Sequence, residues 1–245
     1  TGTQVVTSNN PYSVSGLMPA TTYEWYVRAI CGPGDTSAWS APATFTTLCA
    51  PIMAPYFQDF ETGFNPGDAG PNINPCFNSL NTADANWEVE DATGSNENST
   101  GTGPHFDKTN FGTPGGHYLY LETSSTTNSA DTLTSDEIDV SGLSSPFFGF
   151  SYHMYGAAMG TLEVEVWDGA AWVNIFSVSG EQQTAGSDPW LDFGAPLPAL
   201  TTNIIRLRFI GIRGTSFTSD MSIDDIFVNE SPACLTPTAL NNPNL

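Results

Sequence analysis

Carboxylates dominate the reactive side chains of this chain. It carries 26 Asp and Glu against five Lys and Arg, with three His and four Cys. None of His105, His117 and His153 sits in a His-Glu-x-x-His pattern, and no Gly-x-Ser-x-Gly occurs. The signatures of zinc peptidases and serine hydrolases are therefore absent. Two short segments concentrate acids: Phe57-Gln-Asp-Phe-Glu-Thr-Gly63 and Ser222-Ile-Asp-Asp-Ile226. Calcium needs several oxygen ligands, some of them anionic, whereas neighbouring carboxylates with no cation repel one another. In an extended strand Asp224 and Asp225 point to opposite faces, so only one of them, Asp224, is taken as a ligand candidate. Glu163 and Glu165 share a face and are expected to be solvated or to meet Arg206 and Arg208 across a sheet. Glu181, Asp188 and Asp192 are scattered through loop-like sequence, and no glycosidase pair can be picked out among the acids. Trp87, Trp167, Trp172 and Trp190 offer either a sugar-stacking platform or core and rim filling.

A formal charge of -21 repels nucleic acid and anionic membranes. It suits a soluble surface in salty or calcium-rich surroundings and favours cations held by clustered acids. Charged residues are only 13% of the chain, and 23 Gly and 18 Pro separate short aromatic-rich segments. That is an all-β, extracellular profile. A hydrophobic content of 39% is enough for a core. No apolar run approaches the roughly 20 residues of a membrane span, so direct membrane insertion is not expected. Neither a signal peptide nor an initiator Met is present, and the chain is expected to be part of a longer precursor. Cys31, Cys49, Cys76 and Cys234 lack zinc-ribbon spacing and suit disulfides in an oxidising compartment.

The elements that must position these groups are short alternating strands. Leu162, Val164 and Val166 share one face opposite Glu163, Glu165 and Trp167. Ile205, Leu207 and Phe209 share another opposite Arg206 and Arg208. Trp167-Asp-Gly-Ala-Ala-Trp172 reads as a hairpin with an Asp-Gly turn. Residues 91–104, rich in Ser, Asn, Gly and Thr, read as an exposed loop. No segment sustains a 3.6-residue period, so no helix beyond about two turns is expected. Tyr23, Trp25, Val27 and Ala29 alternate with Glu24, Tyr26, Arg28 and Ile30, which predicts one strand over 23–30.

Ser151-Tyr-His-Met-Tyr-Gly-Ala-Ala-Met-Gly-Thr-Leu-Glu-Val-Glu-Val166 resembles the signature strand pair of MAM domains, extracellular jelly-roll modules. Gly103–Thr109, Gly116–Thr123, Arg206–Arg213 and Ser222–Ile226 stand in the same order around it. Leu17-Met-Pro-Ala-Thr-Thr-Tyr23 resembles the turn into strand F of a fibronectin type III domain, with Tyr23 as the corner tyrosine. Strands A to C of that sandwich are expected before residue 1, since half a sandwich cannot bury its inner face. The resemblance implies an all-β chain, with a MAM-type β-sandwich jelly roll preceded by a partial fibronectin type III sandwich. Its domains are 1–48 (fibronectin type III, C-terminal part), 49–231 (MAM) and 232–245 (start of a further type III domain). This string of modules is similar to large secreted surface proteins of the Bacteroidetes.

The same resemblance carries functional expectations. Related jelly rolls place a Glu from an N-terminal segment beside an Asp from a C-terminal strand around calcium, which here selects Glu61 and Asp224, with Asp107 as the third acid. The alternative is that Glu61 and Asp224 merely cap turns. Type III geometry pairs Cys31 and Cys234 with cysteines beyond this chain and leaves Cys49 with Cys76. A Cys31–Cys49 bond would have to bridge opposite ends of strand G. Animal MAM domains carry a cysteine where Phe147 stands, so their disulfide set does not transfer. The implied role is a non-catalytic adhesion or interaction segment of a secreted or cell-surface protein, stiffened by structural calcium. Its partners would be protein or glycan surface ligands or other copies of itself, and not nucleic acid. The alternative is a carbohydrate-binding or substrate-docking accessory region of a secreted hydrolase.

Overall fold

The structure is a computed structural model, and it describes residues 3–79, 87–94, 100–124 and 130–232. Cys234 and nearly all of the expected third module lie outside the described residues. Thr1–Ala50 and Pro51–Leu245 form two compact units. No helix among the described residues is long and apolar enough to cross a membrane.

In the first unit, β1 (Thr22–Trp25) pairs with β4 (Ala43–Thr46), and β2 (Ile30–Gly32) pairs with β3 (Asp35–Thr36). The Tyr23 hydroxyl accepts the Met18 amide at 2.8 Å, the back-bond expected of a corner tyrosine. Tyr23 also stacks on its register partner Phe45 at 5.8 Å. The single strand expected over 23–30 is interrupted after Trp25. The Val27 and Ala29 amides donate instead to the hydroxyls of Ser40 and Ser37, at 3.0 and 2.9 Å. Serine hydroxyls here compete with the ladder for backbone donors.

The second unit runs through β5 (Ile52–Met53), β6 (Tyr56–Gln58), β7 (Asn78–Ser79), β8 (Trp87–Asp91), β9 (His117–Leu121) and β10 (Ala130–Thr134). It continues with β11 (Ile138–Asp139), β12 (Pro146–His153), β13 (Thr161–Trp167), β14 (Trp172–Ser179), β15 (Leu191–Pro196), β16 (Ile204–Ile212) and β17 (Met221–Glu230). One sheet is ordered β14-β13-β16-β10-β7, with β11 on β16 and β5 on β11. The other is ordered β15-β12-β17-β9-β8, with β6 on β17. This is the expected all-β sandwich. The only helical piece among the described residues is a 3-10 turn at Gly70–Asn72.

The alternation read from sequence faces the core. Leu162, Val164 and Val166 from β13 and Ile205, Leu207 and Phe209 from β16 are fully buried. They meet Phe148 and Phe150 of β12, and Ile226 and Val228 of β17. Phe150 sits among Phe176, Phe209 and Phe148, with ring centroids 5.2, 5.4 and 5.6 Å away. Edge-on and offset rings let several aromatics share one core.

The outer face of the second sheet is also covered. Tyr118 and Tyr120 point away from Leu119 and Leu121 and join Ala92 and Trp190 in a second apolar cluster. The Trp190 indole donates to the Phe106 carbonyl at 2.8 Å, tying two loops over that face. The exposed loop expected at 91–104 is thus corrected at both ends. Asp91 belongs to β8, and Ala92, Thr102, Gly103 and Pro104 are buried. The Thr102 hydroxyl accepts the Asp220 amide at 3.0 Å, so a polar sequence here serves to satisfy buried backbone.

Candidate metal centre

Roofing the outer face changes what its polar side chains experience. Asp224 of β17 and Asp107 of the overlying loop are both fully buried. Their carboxyl groups lie within hydrogen-bonding reach of each other. Asp224 Oδ1 accepts its neighbour's amide, Asp225, at 2.7 Å, and Oδ2 accepts the Lys108 amide at 3.3 Å. Asp107 Oδ2 accepts the Asn110 amide at 2.9 Å, while Asp107 Oδ1 is buried with no donor. Burial, and next the proximity of Asp107, push the Asp224 carboxyl well above the usual carboxylate range. Gly116 makes room for this arrangement. Its φ is 91°, and a Cβ there would stand 2.5 Å from Asp107 Oδ2.

The chain also corrects the expected alternation at Asp224 and Asp225. Gly149 pairs with Phe227 and Ser151 with Asp224, so Phe150 faces two residues, Asp225 and Ile226. Asp225 takes a φ of 48°. This is a β-bulge, and it re-aims the following side chain. The half-buried Asp225 feels the charges of both Asp107 and Asp59. Burial raises its pKa first, against a hydrogen bond from the Thr109 hydroxyl at 3.1 Å. β6 runs antiparallel to β17, with Gln58 opposite Ile226, which brings the Asp59–Glu61 segment alongside.

Of the three acids expected as ligands, the structure brings together Asp107 and Asp224. Glu61 stands to one side, where its Oε1 accepts the His117 amide at 2.9 Å, next to Gly116. The carboxylates of Glu61, Asp107 and Asp224 do not all lie within 4.8 Å of one another. Sequence reasoning set Asp225 aside on strand alternation, which a positive φ in mid-strand breaks without leaving a periodic signal, and it passed over Asp59. Two facing buried carboxylates with an orphaned oxygen hold either a proton or a hard cation.

Among the described residues, the other titratable groups with marked shifts stand apart from this pair. His153 is fully buried, stands 5.7 Å from the Trp190 ring and lies beside the backbone of Asp188. Burial pulls its pKa down to about 4. Asp220 is pushed up to about 6, chiefly by burial, and accepts from Thr123. Glu165 pairs with Arg208 as expected, but Arg206 turns to Glu137 instead, at 2.6 Å. Cys49 and Cys76 are disulfide-bonded, and Cys31 is free and exposed.

Residues 60–234 match the family model of the MAM domain, meprin/A5/mu. The human MAM domain-containing glycosylphosphatidylinositol anchor protein 2 is 26% identical over 252 residues, covering 94% of this chain and 24% of that protein. The chain thus spans about a quarter of the length of that relative. Among solved structures, the K1 cleaved adhesin domain of Lys-gingipain from Porphyromonas gingivalis W83 is 12% identical with a TM-score of 0.46, covering 72% of this chain and 98% of that one. TmCBM61 in complex with β-1,4-galactotriose is 15% identical with a TM-score of 0.42, covering 71% of this chain and 95% of that one.

Proposed function

This chain belongs to the MAM domain family, and from that footing we propose that it is a non-catalytic adhesion or interaction segment of a larger secreted or cell-surface protein, stiffened by calcium. Family membership rests on the match over residues 60–234. A surface location is supported by the relative's name as a glycosylphosphatidylinositol anchor protein and by a disulfide-bonded Cys49 and Cys76. The first unit is read as the C-terminal part of a fibronectin type III sandwich. The Tyr23 back-bond and the exposed Trp25 and Phe45 support that reading.

One observation carries the calcium reading: two fully buried carboxylates, Asp107 and Asp224, face each other with one oxygen left without a donor. Asp107 and Asp224 would anchor the ion, and Glu61 would supply a third carboxylate from beside His117. A cation there ties the loop carrying Asp107 to β17, and through Glu61 to the segment after β6. That arrangement stiffens a module that transmits load between a cell and its ligand.

Thermal melts in millimolar calcium and in chelator test the proposal. Calcium raises the melting temperature of the wild type, and both Asp224→Asn and Glu61→Gln lose that response. Coincident wild-type melts in the two buffers would remove the metal from the proposal. A second reading, a carbohydrate-binding accessory region of a secreted hydrolase, is favoured by Trp167 and Trp172, which stay half-exposed at the end of a hairpin.

A further inference from the structure

We propose that the outer face of the first sheet carries a binding groove for a neutral oligosaccharide, built on Trp167, Trp172, Arg206 and Glu137. The inference rests on reading the module as a binding module and is independent of the metal. Val166 and Leu207 point into the core, so Trp167 and Arg206 beside them point out. Trp167 lies opposite Trp172 on one side and opposite Arg206 on the other. The two indole rings stand 5.7 Å apart at 60°. With Ile204 and Thr202 they line an open groove of about 530 Å³. That volume falls within the roughly 300–1,000 Å³ of small-molecule sites.

The groove is also stiff. The Asp168 carboxylate accepts the amides of Ala170 and Ala171 at 2.7 and 2.8 Å, closing the turn between the two tryptophans. The Asp168 carbonyl accepts the Thr201 amide and hydroxyl at 2.8 and 2.9 Å, which fixes the turn to the facing loop. A Cβ at Gly169 would meet Thr202 at 2.1 Å, so the two loops are in contact there. Arg208 lies 4.3 Å over the Trp172 ring and is itself held by Glu165. A preformed site loses less freedom on binding.

The chemistry selects the ligand. An indole face is electron-rich and attracts the slightly positive C–H face of a pyranose ring. Sugar hydroxyls need donors and acceptors side by side, which the Arg206–Glu137 pair presents at the groove edge. Both guanidiniums here are matched by carboxylates, so no unpaired cation is available to recognise a uronate, sulfate or phosphate. In a chain of charge -21 the two charged residues lining the groove, Arg206 and Glu137, offset each other.

The test is a calorimetric titration of the whole chain, in calcium, with a panel of neutral oligosaccharides cut from glucan, xylan, mannan and galactan, alongside a uronate oligomer. The expected result is binding of at least one neutral oligosaccharide with quenching or shift of tryptophan emission. Trp172→Ala and Arg206→Ala should weaken that binding at least tenfold, Trp172→Phe should restore much of it, and all three variants should melt near the wild type. No binding across the neutral panel, binding of the uronate alone, or unchanged affinity in a folded Trp172→Ala variant would overturn the proposal. A calcium-stabilised wild type that binds no saccharide sinks the groove and leaves the metal reading standing; saccharide binding without a calcium response does the reverse.

Discussion

Replacing Asp224 by Asn should change sign with calcium. In chelator, Asp224 faces a second buried carboxyl group, so the pair must hold a proton or bear a like-charge contact, and the raised pKa of Asp224 records that cost, which asparagine avoids. The variant keeps Oδ1 for the Asp225 amide, now 2.7 Å away, and gives up the longer 3.3 Å bond from Lys108. Its new amide can donate toward Asp107, whose Oδ1 has no donor. A hydrogen bond to a charged group contributes about 1.5–3 kcal/mol, and the lost bond about 1 kcal/mol. The variant should therefore gain about 1 kcal/mol in chelator, which raises the melting temperature of a domain this size by about 2–4 °C. In calcium the order reverses. A ligand at a hundred times its dissociation constant stabilises by about 2.7 kcal/mol, or about 5–10 °C, and only the wild type receives it. Differential scanning calorimetry of both proteins in both buffers reads the four melting temperatures. A variant less stable than wild type by the same margin in both buffers would refute the reasoning and leave Asp224 a plain structural acceptor.

Gly116→Ala should destabilise by about 1–3 kcal/mol and abolish the calcium shift, because its φ of 91° is strained for alanine and its Cβ would displace the Asp107 carboxylate; chemical denaturation with and without calcium checks both. His153 is held neutral, with a pKa near 4 against 6.5 when unfolded, so its contribution is intact above pH 6.5 and is lost as pH falls toward 4. At about 1.4 kcal/mol per pH unit that loss reaches about 3 kcal/mol, and His153→Gln should flatten the stability profile across that window. Asp220 works in the opposite sense, its stabilisation being whole below about pH 4 and lost as pH rises through about 6, so Asp220→Asn should gain relative stability toward neutral pH. Non-reducing peptide mapping should give a Cys49–Cys76 linked peptide, and Cys31 should alkylate in the native state; a Cys31–Cys49 peptide would contradict both.

Fold class and much of the core are legible in the pattern of residues alone. The alternation of Leu162, Val164 and Val166, and of Ile205, Leu207 and Phe209, is a local property of extended chain, and all six side chains are buried. The Tyr23 corner is likewise a matter of neighbours, since Met18 lies five residues away. Tertiary structure decided what local periodicity does not encode. Asp224 meets the Lys108 amide across 116 positions because a polar loop closes over the outer face of a sheet. That closure turns two ordinary aspartates into a buried facing pair. The bulge that places Asp225 near Asp107 arises where β17 accommodates one extra residue against β12, a misfit between two strands. Arg206 pairs with Glu137 rather than with an acid on β13 for a similar reason. Pairing of strands sets which side chains are opposite, and only the fold brings the residue before β11 within reach. The tryptophans at 167 and 172 were legible as aromatics in a hairpin. That they stay outside the core, beside a paired arginine, depended on which face of β13 the opposing sheet covers.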